Sequence, residues 1–286
     1  MAPSRQFYAV FIDIMGFAAA IEEMSDAEHD DLDAMLLSPA NGPGLAARAV
    51  RFASSYELFH KRLDELAWES HLFIHTLVIF LDSAYLVTPE LRVAQNFAMD
   101  MMGYCYQWQI PLRAGIGYGN FARLAFSTLS RPSGALVADS PFLGSSIVRA
   151  YRAHSCKARG FHIFLHPTVT ASEGPQWMYA ELRESERCEH ANRELNFLHP
   201  PYRTPEQALA GIHDMRIGVT DPHVLEHYDA SEPAIRRLNA SGEAHNWSSS
   251  LVVSALSQRA NAKKKTRSPR YRKTNGDGKH ETRAKK

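Results

Sequence analysis

Cysteine is scarce. The 286 residues carry three, Cys105, Cys156 and Cys188. That is an odd, widely spaced set without a CxxC or Cys/His zinc pattern, which excludes a secreted disulfide framework and suits a reducing compartment. Long apolar runs are missing as well. The longest, Leu72 to Leu81, is ten residues and contains His75 and Thr76, against ~20 for a membrane-spanning helix. The first residues, MAPSRQ, pass straight into a strand-like run without the apolar stretch of a signal peptide. A cytoplasmic protein with no membrane partner is therefore expected. No internal repeat is present, and the fourteen histidines show no metal spacing such as HExxH.

What is present is ordinary globular material, 45% apolar and 22% charged, in a chain long enough to bury a core without disulfides or a structural metal. The net charge of +1 hides an asymmetry. Residues 261–286 hold eleven Lys or Arg against Asp277 and Glu281, a local charge of +9, which leaves −8 on the rest. This tail has no apolar periodicity and reads as a solvated, disordered end. Electrostatic binding to nucleic acid is the less favoured reading.

Along the chain, QFYAVFIDI (6–14) reads as a buried strand, followed by a helix from Gly16 and a polar inserted loop over 25–45. An amphipathic helix follows at 46–68. HLFIHTLVIF and SAYLVTP flank a two-residue break, Leu81-Asp82, as in a hairpin. A helix is predicted at 89–108, then the strand LRAGIGYG (112–119) paired with 121–126, a helix at 143–155 and a strand at 160–166. ELNFLHPPYR would be a final edge strand, with helices at 205–213, 221–239 and 246–261. The order implies an α+β sandwich on the ferredoxin-like βαββαβ plan, with a mostly antiparallel sheet. It divides into a core (1–170), a helical C-terminal extension packed on it (171–260) and the basic tail (261–286).

The sharpest chemical feature is FIDIMGF. Asp13 ends an apolar strand and Gly16 lets the chain turn into a helix, gathering one carboxylate, the Ile14 carbonyl and helix N-terminal amides at Met15, Gly16 and Phe17. Oxygen donors suit Mg²⁺ or Mn²⁺, and amides suit phosphate; taken alone, Asp13 reads more readily as a helix cap. Asp82 at the hairpin tip is open to the same plain reading as a turn residue. Were the two strands neighbours, both carboxylates would meet at one end of the sheet.

FIDIMGF, FLDSAYL, LRAGIGYG and GSSIVRAYR, in this order over residues 7–166, resemble the class III nucleotidyl cyclases. The resemblance implies two divalent ions per site, Mn²⁺ or Mg²⁺, held by Asp13, the Ile14 carbonyl and Asp82. It also implies Arg113 on the distal phosphates, Arg152 stabilising transition-state charge, and a homodimer whose two sites are shared between subunits. The ribose-positioning asparagine of the family falls on Val148, a departure that removes its hydrogen bonds. The base-reading positions fall on Val78 and Pro141, neither of which can pair with a purine edge. With the Ala150-Tyr151 pair and the inserted helix, the chain looks more like the pyrimidine cyclases of bacterial Pycsar anti-phage systems. Cyclic UMP or cyclic CMP would be the product, with UTP slightly preferred as substrate. The alternative is a catalytically inactive, dimeric binding module with a nucleic-acid-binding tail. A diguanylate-cyclase relative is disfavoured because FLDSA stands where a GG(D/E)EF hairpin would be.

Overall fold

The computed structural model describes residues 6–37, 47–123, 142–170, 178–198, 205–217, 219 and 221–244. All belong to the first of two units, Met1–Asn246; the second, Trp247–Lys286, lies outside the described residues, as do the expected helix at 246–261 and the basic tail.

Strand β1 (Gln6–Ile14) is apolar on both faces because both are covered. Tyr8, Val10, Ile12 and Ile14 enter the main core, while Phe7, Ala9 and Phe11 enter a second one. The chain then forms α1 (Phe17–Glu22), α2 (Asp26–Leu37), α3 (Ala47–Glu69), the hairpin β2 (Thr76–Ile79) and β3 (Ser83–Thr88), and α4 (Leu91–Gln107). It continues through β4 (Leu112–Asn120), β5 (Ala122–Arg123), β6 (Phe142–Leu143), α5 (Ser145–His154) and β7 (Ile163–Leu165) to β8 (Tyr179–Glu181), β9 (Arg193–Leu195), α6 (Pro205–Arg216) and α7 (Pro222–Ala244).

The main sheet runs β2-β3-β1-β4-β7-β9-β8. Every pairing is antiparallel except β4 with β7, whose connection through α5 is the crossover that parallel neighbours require. The first four strands in this order give the predicted βαββαβ arrangement. Phe59, Leu63 and Leu66 of α3 and the buried face of α4 cover one side of the sheet, each large side chain contributing ~1.5–3 kcal/mol by leaving water.

Helix α5 covers the other side, and the glycines of LRAGIGYG explain how. A Cβ on Gly115 would sit 2.2 Å from the Ala150 carbonyl oxygen, one on Gly117 2.4 Å from the Ala150 nitrogen, and one on Gly119 2.3 Å from Ser145 Oγ. The alternating glycines form a groove in which the helix backbone lies directly on the strand.

Three expectations are corrected. The segment expected as a loop contains α2, whose start is marked by a capping box: the Ser25 N–H donates to Glu28 Oε2 at 2.9 Å and the Glu28 N–H to Ser25 Oγ at 3.4 Å. Residues 122–123 pair with β6, not β4, because β1 and β7 already occupy both edges of β4. The stretch at 193–195 is not an edge strand, since β8 pairs outside it.

The described part of the extension is tied down by charge as well as apolar burial. Glu194 of β9, fully buried, pairs with His162 and with Arg237 of α7, and Arg237 also reaches Glu186 at 2.9 Å. No described helix is long and apolar enough to cross a membrane.

Candidate active site

The register gathers the predicted carboxylates. Asp13 lies opposite Ser83 on β3 and opposite Arg113 on β4. The Ile14 N–H donates to the Asp82 carbonyl at 2.9 Å, fastening the hairpin tip to the end of β1. Gly16 then turns the chain into α1 with a left-handed φ of 74°, a conformation that L side chains rarely adopt. Directly opposed antiparallel residues share a face, so Asp13 and Arg113 both look toward α5.

The electrostatics are those of a site short of positive charge. Burial, reinforced by Asp82 and only partly offset by Arg113, pushes the Asp13 carboxyl up to about 7. His154, at the end of α5, holds Nε2 at 3.7 Å from Asp13 Oδ2, yet the two are not an ion pair. Burial, with the Arg113 charge adding to it, pushes the imidazole down to about 3, so both groups are driven toward their neutral forms. A divalent cation would reverse this for the carboxyl. The donors are also of the right type, because two carboxylates and a strand-end carbonyl form a hard oxygen set suited to Mg²⁺ or Mn²⁺. Among the described residues no three His, Cys, Asp or Glu side chains converge, so any such ion would depend on Asp13, Asp82, backbone oxygen and its substrate.

The other expected residues divide. Val78 lies on β2 opposite Tyr85, which in turn opposes Phe11, so it shares the Asp13 face of the sheet. Pro141 lies outside the described residues. The Met15 amide is already used, donating to the Pro111 carbonyl at 2.9 Å; a phosphate cradle is therefore narrowed to the amides from Gly16 onward. The Phe17 side chain is buried among Phe52 and Tyr56.

Arg113, which the resemblance places on the distal phosphates, is buried at the start of β4. It is 8% exposed, donates to the Cys156 carbonyl and lies 4.7 Å from the centre of the Phe164 ring, with burial lowering it to about 10. Arg152 is exposed on α5, and its charge is felt at His166 rather than at Asp13. Val148 and Tyr151 are exposed on the same helix, as are Ile79, Phe80 and Leu81 at the hairpin. Tyr151 packs edge-on against Phe11.

His154 was not predicted. The signal for it lay in the glycine alternation, which seats α5 on the sheet and turns Ile147, Ala150 and His154 toward β4. A separate cavity of about 320 Å³ lies behind the Met15–Phe17 turn, walled by Phe52, Tyr56, Met215 and Val224; it includes neither Asp13 nor Asp82.

Among solved structures the chain is similar to the guanylyl cyclase Cya2 (10% identity, TM-score 0.44, covering 70% of this chain and 96% of that one). It is also similar to the guanylate cyclase domain of RhGC from Catenaria anguillulae in complex with GTP (16%, 0.43, 67% and 94%). A bacterial light-regulated adenylyl cyclase is matched at 11% identity and TM-score 0.45, covering 73% and 97%. No protein-family model and no curated protein matches the chain. Likenesses this loose say nothing about activity, which has to come from the site.

Proposed function

We propose that this chain is a nucleotidyl cyclase. The 3′-hydroxyl oxygen of a bound nucleoside triphosphate attacks its own α-phosphorus in line, forming the cyclic ester bond while the bond to the β-phosphate oxygen breaks and pyrophosphate leaves. The observation that carries this reading is the meeting of Asp13 and Asp82 at one sheet end, where burial, with Asp82 adding to it, raises the Asp13 carboxyl to about 7. Asp13, Asp82 and the Ile14 carbonyl would hold two divalent ions, Mg²⁺ or Mn²⁺, which when bound acidify the hydroxyl and steady the triphosphate.

The chain's own groups do the rest. Amides from Gly16 onward face the β- and γ-phosphates. Arg152 meets charge growing on the α-phosphate, a contribution of several kcal/mol in order of magnitude. Arg152, exposed on α5, would serve the site of a second subunit, making the enzyme a homodimer with two shared sites. The exposed apolar residues Phe80, Leu81, Val148 and Tyr151 suit that interface. Val78, and position 141 on the resemblance, lack purine-reading groups, which favours a pyrimidine substrate, UTP before CTP. The cyclic nucleotide would then be a second messenger in anti-phage defence.

One observation favours the inactive binding module instead. Arg113 is sealed between the Cys156 carbonyl and the Phe164 ring, so its guanidinium is withheld from a triphosphate in the single chain. Incubation with Mn²⁺ and each of ATP, GTP, CTP and UTP, with products resolved by mass spectrometry, separates the readings. A cyclic pyrimidine monophosphate that Asp13→Ala abolishes supports the proposal. A purine product keeps the reaction and overturns the base assignment; no product from any of the four overturns the cyclase.

A further inference from the structure

Both ring nitrogens of His154 are buried without a hydrogen-bond partner. A buried polar atom left in that condition costs ~1–3 kcal/mol, a cost that a partner for Nε2 would remove. The ring is also held on several sides. Its Cβ lies over Gly115, where any side chain on the strand would displace it. Phe11 packs edge-on against it at 4.8 Å, and Tyr151 stacks at 6.5 Å. Phe11 and Gly115 oppose each other in the sheet, and Asp13 and Arg113 are the next opposed pair on the same face. The imidazole is thus pinned beside the carboxylate, with Nε2 3.7 Å from Oδ2. That gap is about 0.5 Å too long for a hydrogen bond, and a rotation of the carboxylate is required to close it.

We propose that His154 is a positioning residue for the Asp13 carboxylate, donating from Nε2 to Oδ2 and so fixing the other oxygen toward a divalent cation. The inference rests on the reading of Asp13 as a cation ligand. Carboxylate ligands commonly need such a partner, and losing it weakens metal binding by about 10–100-fold. The nearest plain alternative is that the ring only fills space against Phe11 and Gly115. In that case shape, not the N–H, would matter.

The test is a titration of the full chain with Mn²⁺, following the loss of the free-ion electron paramagnetic resonance signal. His154→Phe keeps an aromatic ring and removes the donor; His154→Gln restores an N–H at a similar reach. The expected result is affinity reduced about tenfold or more in His154→Phe and largely recovered in His154→Gln, with Asp13→Ala not saturating. Should His154→Phe fail to fold by circular dichroism, His154→Leu takes its place against His154→Gln. Affinity unchanged in the donor-less variant, or equally weak in His154→Gln, overturns the positioning role while leaving the metal site standing. A wild-type chain that binds Mn²⁺ no better than Asp13→Ala, both alone and with a nucleoside triphosphate present, sinks the cation reading itself.

Discussion

Gly117→Ala tests the contact on which α5, with Arg152 and His154, depends. The added Cβ would lie 2.4 Å from the Ala150 nitrogen, 2.7 Å from Arg149 Cβ and 2.7 Å from the Ser146 carbonyl oxygen. Two of these three are backbone atoms, so no side-chain rotation relieves the clash. Restoring ordinary contact near 3.5 Å requires the helix to rise by roughly 1 Å. A gap of that size forfeits a quarter to a half of the dispersion well for atoms left behind. Ile147, worth ~1.5–3 kcal/mol when buried, would lose about 0.5–1.5, with Ala150 and Ala153 adding to it. Against this, replacing glycine stiffens the unfolded chain by ~0.4–1 kcal/mol. Overpacking of this kind costs ~1–3 kcal/mol, and about 2 kcal/mol net is expected here. For a folded unit of this size that is a fall of ~4–8 °C in Tm, read by thermal denaturation. Gly16→Ala is the contrast: its Cβ meets only Val224 Cγ2 at 3.6 Å, but φ is 74°, so its cost is conformational strain of ~1–2 kcal/mol without displacement of α5. A Gly117→Ala protein melting within 1 °C of wild type would refute the groove argument.

Asp13→Asn should stabilise the fold while abolishing cyclisation. The carboxyl is raised from 3.8 to about 7 in the folded state, so its cost is absent below pH ~4, grows as the pH rises toward 7 and is complete above it. With the side chain 28% exposed, relief of at most about 4 kcal/mol is expected at pH 8, visible as a Tm gain that vanishes near pH 4. Glu194 behaves oppositely. Burial raises it, but its partners His162 and Arg237 outweigh that and hold it below 4.5, so it contributes stability above that pH that is lost as the pH falls through its folded value. Arg237→Met should cost ~3–5 kcal/mol at pH 7 and flatten that acid limb in urea denaturation. Phe80→Asp should shift the chain from dimer to monomer in light scattering, and an unchanged mass would remove the hairpin from the interface. Mixing Asp13→Ala with Arg152→Ala should restore activity that neither variant has alone; no rescue would count against shared sites.

Much of the fold was legible because local signals agreed. β1 and β3 are largely apolar or β-branched runs, β4 shows its alternating glycines, and Asp82 marks the hairpin turn between β2 and β3. Helix α2 was legible in principle through Ser25 and Glu28, although its acidic sequence reads as loop. β8 and β9 were harder, since three-residue strands carry too little pattern to show pairing order. At the site, the carboxylates were found by their position at strand ends, which periodicity can locate.

Sequence alone determined that Asp13 closes a buried strand, that Gly16 permits a left-handed turn and that alternating glycines line β4. Spacing and backbone freedom are local properties, written residue by residue. Only the tertiary structure decided that Arg113 turns inward to the Cys156 carbonyl, that the Met15 amide is used by Pro111, and that His154 faces Asp13. Each of these depends on what a distant segment places beside the residue, because burial and hydrogen-bond partnership belong to pairs of segments rather than to either one.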